Sequence, residues 1–218
     1  MSTARAPRNW LNRERIVAGA LELADAEGIS GLTMRSLAAK LGAKPMSLYN
    51  HFANKDLILD ELVELVFAEI GPPNVSGPWR RELHDRCQRA RRTLLEHRWA
   101  VTLLDSRKRP GLATLVHQNA MIGTLRNGGF DWAQVSAAIA LLDSFVYGFV
   151  VQEIALPVNQ PEDFAPLAED LLAQLPSGEY TYLVQFAQQR VLGEGYDFAD
   201  EFDIGLDLVL SAIEAQLH

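Results

Sequence analysis

Apolar residues recur at intervals of three and four along almost the whole chain, the spacing of one face of an α-helix. Asn12 is placed as an N-cap, and Ile16, Ala20, Leu23 and Ala24 follow on one face until Gly28 closes the segment with C-cap chemistry. Thr33 caps a second helix with Met34, Leu37, Ala38 and Leu41 on its apolar side, and Gly42 ends it. Lys44-Pro45 opens a very short third helix running to about Phe52, proline suiting a first turn whose N–H would be unpaired anyway. Asn54 caps a fourth helix, with Asp56 in the turn where the helix dipole favours a negative charge. Ile58, Leu62, Val66 and Ile70 form its stripe.

The run Gly71 to Pro78 then breaks the pattern. Beyond it the spacing predicts helices from Trp79 to Arg98, a shorter one to about Ser106, one from Pro110 to the Asn127-Gly128-Gly129 stop, and a long one from Asp131 to about Leu156. The stretch Ala137 to Val151 is apolar on nearly every side, so burial on nearly every side is expected. A short helix near Phe164 to Gln174, one near Glu179 to Leu192 and a final one from Asp200 to Leu217 complete the series. The last carries two apolar faces: Phe202, Leu206, Val209, Leu210, Ile213 and Leu217 on one, Ile204, Leu208 and Ala212 on the other. Two faces need two partners, the core and a second subunit.

Composition narrows the class. With 218 residues, 48% hydrophobic and 22% charged, the chain has one or two globular domains and ample core. A lone cysteine, Cys87, excludes a disulfide framework and suits a reducing, cytoplasmic setting. The start, Met1 to Asn9, is polar and basic without an apolar run behind it, and Ala137 to Val151 is interrupted by Asp143, so neither a secretory signal nor a membrane span is expected. The net charge of −8 is unevenly spread: residues 1–56 hold eight Lys and Arg against five acids, the remainder twelve against twenty-three. Basic charge gathered at one end lets an acidic protein meet nucleic acid. A second basic segment, Arg80 to Arg109, includes Arg91 and Arg92, which either touch phosphate or lie on a solvated helix face.

Two short helices joined by Gly42-Ala43-Lys44 make a helix-turn-helix. A helix of about eight residues spans roughly 12 Å, the width of a B-DNA major groove, so the third can lie in the groove while the second crosses the backbone. Leu48 and Phe52 point to the small core, leaving Met46, Ser47, Tyr49, Asn50 and His51 outside. Ser47 and Asn50 can hydrogen-bond bases or phosphates, and Tyr49 and His51 can touch phosphate or thymine methyls. Arg35, Lys44 and Lys55 supply flanking positive charge. The alternative is that Tyr49 and His51 merely cover a three-helix core.

The segment TMRSLAAKLGAKPMSLYNHFANKDLIL resembles the DNA-binding domain of the TetR family of transcriptional repressors through Thr33, Arg35, Ala39-Lys40-Leu41-Gly42, Leu48-Tyr49-Asn50-His51-Phe52 and Asn54-Lys55. The remainder is similar to the tetracycline-repressor type in His97-Arg98, Arg109-Pro110 and Gly129-Phe130 before a long helix with Phe145 and Gly148. The resemblance implies an all-α fold. An N-terminal three-helix DNA-binding domain, residues 1–56, precedes a larger ligand-binding and dimerisation domain, residues 57–218. It also implies a homodimer on a palindromic operator, released by a small molecule. By the same resemblance Thr33, Arg35, Lys44, Ser47, Tyr49 and His51 contact DNA and Lys55 holds a phosphate. Pro45 and Met46 stand where relatives place a base-reading polar side chain, so the operator sequence is not carried over. Leu103, Leu104 and Asp105 replace the histidine that tetracycline-binding relatives use for the magnesium chelate, and Ser144 and Gln152 replace a histidine and a glutamate, so that chemistry is not carried over either.

Candidate effector contacts are Phe67, Trp99, Leu103, His117, Met121, Ser144, Phe145, Tyr147, Phe149 and Gln152, a mostly apolar set with a few polar groups. Each aromatic among them could equally be core. No H-x-x-x-H pair suggests a metal, no cofactor is implied, and no nucleophile elbow, phosphate loop or zincin motif suggests an enzyme. The competing class is a small-molecule-binding helical protein or scaffold without DNA binding.

Overall fold

The computed structural model describes residues 11–104, 106, 109–158, 161–176, 178–193 and 195–217. The expectations placed on Met1–Asn9 and Asp105 lie outside them. Among the described residues every regular element is helical: α1 Arg13–Gly31, α2 Met34–Lys40, α3 Pro45–Tyr49, α4 Lys55–Ile70, α5 Trp79–Glu96, α6 Leu112–Asn127, α7 Trp132–Ala155, α8 Phe164–Ala173, α9 Thr181–Phe186 and α10 Glu201–Glu214. By contacts the chain divides into two compact units, residues 1–139 and 140–218, the division falling within α7. The boundary placed at 56/57 lies in the first turn of α4, inside the first unit.

In the first unit the helix starts follow local chemistry. The Asn12 side chain accepts the Arg15 N–H and the Asn54 side chain the Leu57 N–H. Thr33 and Ser36 form a reciprocal capping box, and Asp131 and Gln134 exchange the same pair of bonds ahead of α7. Gly28 interrupts α1 at φ 70°, a conformation that strains any side chain, before a last turn reaches Gly31. Ile16, Ala20, Leu37, Leu48, Phe52, Ile58 and Leu62 are buried and form the small core under α3. Glu64 of α4 closes the start of α6. Its carboxylate accepts the backbone N–H groups of Gly111 (3.0 Å) and Ala113 (2.6 Å) and the Thr114 hydroxyl, so one side chain serves backbone donors that the helix start leaves without an internal partner. The basic segment is partly structural: Arg86 is buried, and Arg89 donates to the Ile70 carbonyl at the end of α4 and to the Pro72 carbonyl just beyond it.

In the second unit Phe145, Phe149, Phe198 and Phe202 form an aromatic cluster, with Phe149 stacked on Phe198 at 4.7 Å between centroids. Phe202, Leu206, Leu210 and Ile213 of α10 are buried, while Ile204 and Leu208 are exposed, as the two-faced pattern predicts. Burial of α7 all round is not what the chain shows. Leu142, Val146 and Val150 are buried, but Leu141 and Val151 are exposed, because one chain supplies neighbours to one stripe only. By length and composition α7 is also apolar enough to cross a bilayer. Two other expectations change. The helix expected as far as Ser106 is one 3-10 turn, Ala100–Thr102, and the helix expected to Leu192 gives way after Phe186 to a π turn, Ala187–Val191.

Candidate nucleic-acid interface and effector region

The helix-turn-helix is built from Thr33 to Phe52. Gly42 turns the chain at φ 62° between α2 and α3. Lys44 is the N-cap residue of α3 and leaves its ammonium unused by the cap, and Pro45 occupies the first turn. α3 is shorter than the sequence suggests, its regular part ending at Tyr49, with Phe52 N–H still bonded to the Leu48 carbonyl at 2.9 Å. Leu48 and Phe52 are fully buried, whereas Met46 is 73% and Tyr49 45% exposed. Arg35, Lys44, Pro45 and Asn50 are exposed, and Ser47 and His51 are half-buried. Every residue of the expected outward set is thus at least partly accessible to solvent, Met46 the most of those with a large apolar side chain on α3.

Two residues are more committed than the sequence suggests. The Thr33 hydroxyl accepts the Ser36 N–H at 3.0 Å, so its first task is to start α2. The Lys55 ammonium donates to the Ile29 carbonyl at 2.8 Å, tying α4 to the end of α1 and leaving two N–H donors. Arg13 has a role the sequence reading did not assign. Its guanidinium donates to the His51 carbonyl (2.8 Å), pairs with Glu61 (2.5 Å) and lies 4.1 Å from the Phe52 ring centroid. The segment after α3 is thus clamped to α4. A cation in the first turn of a helix works against the dipole, and that misfit is the one local signal that a distant partner exists.

The effector candidates fall in both units. In the first, Phe67 and His117 meet with centroids 5.2 Å apart, and Met121, one turn beyond His117 on α6, is buried. His117 is buried, and its Nε2 accepts from Arg86 Nε at 3.1 Å. Burial first, then the Arg86 charge, lowers its pKa to about 3, so it is a neutral acceptor at neutral pH. Trp99 is buried with its indole N–H on Asp25, and Leu103 is half-buried just after the 3-10 turn. An apolar groove of about 440 Å³ opens beside α4 and α6, lined by Leu65, Phe67, Leu112 and Val116. In the second unit Phe145 and Phe149 belong to the aromatic cluster, Tyr147 is half-buried, and Ser144 and Gln152 are exposed.

Similarity to known proteins follows this architecture. Residues 16–62 match the profile described as bacterial regulatory proteins, tetR family, and residues 71–217 that of the tetracyclin repressor-like C-terminal domain. An HTH-type transcriptional regulator of Saccharopolyspora erythraea is 33% identical over 206 residues, covering 94% of this chain and 85% of its own. The tetracycline repressor protein class C of Escherichia coli is 31% identical, covering 94% and 92%. The crystal structure of the Streptomyces coelicolor TetR family protein ActR in complex with actinorhodin superimposes with a TM-score of 0.78 at 29% identity, covering 97% and 98%.

Proposed function

Because the chain belongs to the TetR family of DNA-binding transcriptional regulators, we propose that it is a repressor which inserts α3 of each of two copies into successive major grooves of a palindromic operator and lets go when a small molecule binds its C-terminal helices. The observation that carries this reading is the division of α3 itself. Leu48 and Phe52 are fully buried, and Met46, Tyr49 and Asn50 face water beside Lys44 and Arg35. Lysine and arginine supply the phosphate term, and the groups between them supply base readout. The contacts assigned to DNA are Thr33, Arg35, Lys44, Pro45, Met46, Ser47, Tyr49, Asn50, His51 and Lys55, and the head they form ends at residue 56.

Two recognition helices must sit about 34–36 Å apart to enter grooves one turn apart. α4, roughly 24 Å long at 1.5 Å per residue, joins the head to α6 through Glu64, so a ligand that favours one tilt of α4 changes that spacing. The effector bound by this chain belongs with the apolar groove along Phe67, Leu112 and Val116, a surface suited to a largely apolar molecule. Actinorhodin, the ligand named for a structurally similar TetR protein, is the first molecule to try. Such a regulator works in the cytoplasm and releases its ligand unchanged.

Fluorescence anisotropy on labelled duplexes tiling the DNA upstream of its own coding sequence tests the reading. Saturable binding of two chains to one duplex, lost in Tyr49→Ala and reversed by an effector, is expected. Equal, weak retention of every duplex by wild type and variant would instead favour a ligand-binding scaffold.

A further inference from the structure

Three elements converge on one imidazole that neither the groove-reading surface nor the effector candidates include. His97 follows α5 and directs Nδ1 to Asp25 Oδ1 at 2.8 Å and Nε2 to Glu69 Oε2 at 3.2 Å. Asp25 comes from α1, one turn before the break at Gly28, and Glu69 from the last turn of α4. The Trp99 indole donates to the same Asp25 oxygen at 2.7 Å. The His97 side chain is 11% exposed. Glu96 and Arg98, its charged neighbours on its own segment, line a groove together with Asp25 and Trp99.

An ionised carboxylate only accepts, and a neutral imidazole has one N–H and one lone pair. Both contacts are hydrogen bonds only when both ring nitrogens carry hydrogen. Once one proton leaves, a ring lone pair faces a carboxylate oxygen and one tie is lost. Burial disfavours the charged ring, but the hydrogen bonds and charges of Asp25 and Glu69 outweigh it, and the His97 pKa is raised.

We propose that His97 is a positioning residue for operator recognition: as an imidazolium it clasps α1, the base of the groove-reading head, to the end of α4, and so fixes the angle at which α3 is presented. The inference rests on the DNA-binding reading above and deepens it. The sign follows from the protons. The clasp is whole below the ordinary histidine range and is lost as pH rises through the raised His97 value. Above it the head samples more orientations, and two α3 helices match the groove spacing less of the time.

Glu69→Gln provides the decisive comparison. The introduced amide can donate to a neutral Nε2 while Nδ1–H stays on Asp25, so this variant holds the clasp without the second proton. Two measurements on the full chain apply. In nitrogen-resolved NMR of the His97 ring without DNA, wild type is expected to titrate above the usual histidine value and Glu69→Gln at a lower pH. In anisotropy on a bound duplex, wild-type affinity is expected to fall by about five-fold or more across the His97 midpoint. Glu69→Gln stays flat there and keeps the low-pH affinity at high pH. The two proteins differ only at residue 69, so the difference between their profiles belongs to the clasp. Parallel profiles, or a ring midpoint that does not move in Glu69→Gln, overturn the proposal. If neither protein binds any duplex, the DNA-binding reading fails while the ring titration still decides the clasp.

Discussion

A histidine sealed from water and bonded to a guanidinium takes a proton only at high cost, and His117 is such a residue. The unfolded chain binds that proton from the ordinary value of 6.5 downward, the folded chain only near pH 3. Between those values the unfolded state holds one proton more, so stability falls as pH falls. The expected slope is about 1.4 kcal/mol per pH unit between pH 6 and 4, measured by urea unfolding, and it should flatten in His117→Gln, which keeps an acceptor for Arg86. On the DNA-facing side, Lys44→Ala should weaken binding to all duplexes alike and lower the salt slope by about one. Met46→Ala should instead change which base is preferred at one position of each half-site, read by competition among single-base variants. The caps at Asn12, Thr33, Asn54 and Asp131 were legible in the sequence because each acts within four residues. The Arg13–Glu61 pair and the Lys55–Ile29 bond join residues 48 and 26 apart, and although the misplaced cation at Arg13 signals that a partner exists, nothing local says which distant residue it is.

At the level of helices, the decisive contact is one carboxylate of α4 seated on the first turn of α6. Glu64→Ala should lower stability by about 1–3 kcal/mol, since it leaves a partly buried set of N–H groups without an acceptor. Glu64→Gln, which keeps one acceptor oxygen, should lose less, and thermal unfolding of the two variants separates them. Helix order was legible throughout because capping residues and a 3.6-residue period agree. Register failed where another force prevailed. Continuous apolarity in α7 could not say which stripe the chain itself covers, and Leu141 and Val151 show that it covers one. The turn at Ala187–Val191 keeps an apolar spacing close enough to helical that its wider π bonding leaves no mark on the pattern.

For the molecule as a whole, Leu141, Val151, Ile204 and Leu208 of the second unit are exposed apolar side chains, and the proposed homodimer is expected to bury them. Leu208 is 69% exposed, so Leu208→Glu should leave the fold intact, shift the protein toward monomer in sedimentation velocity, and abolish operator binding without touching α3. The central claim is that α3 is presented twice, one helical turn of DNA apart. Selection of duplexes from a random pool by the full chain tests it most directly. The account predicts an enriched palindrome whose half-site centres lie about 10 base pairs, or a multiple of that, apart. A pool that stays unenriched, or an enriched site with no two-fold symmetry, would contradict it.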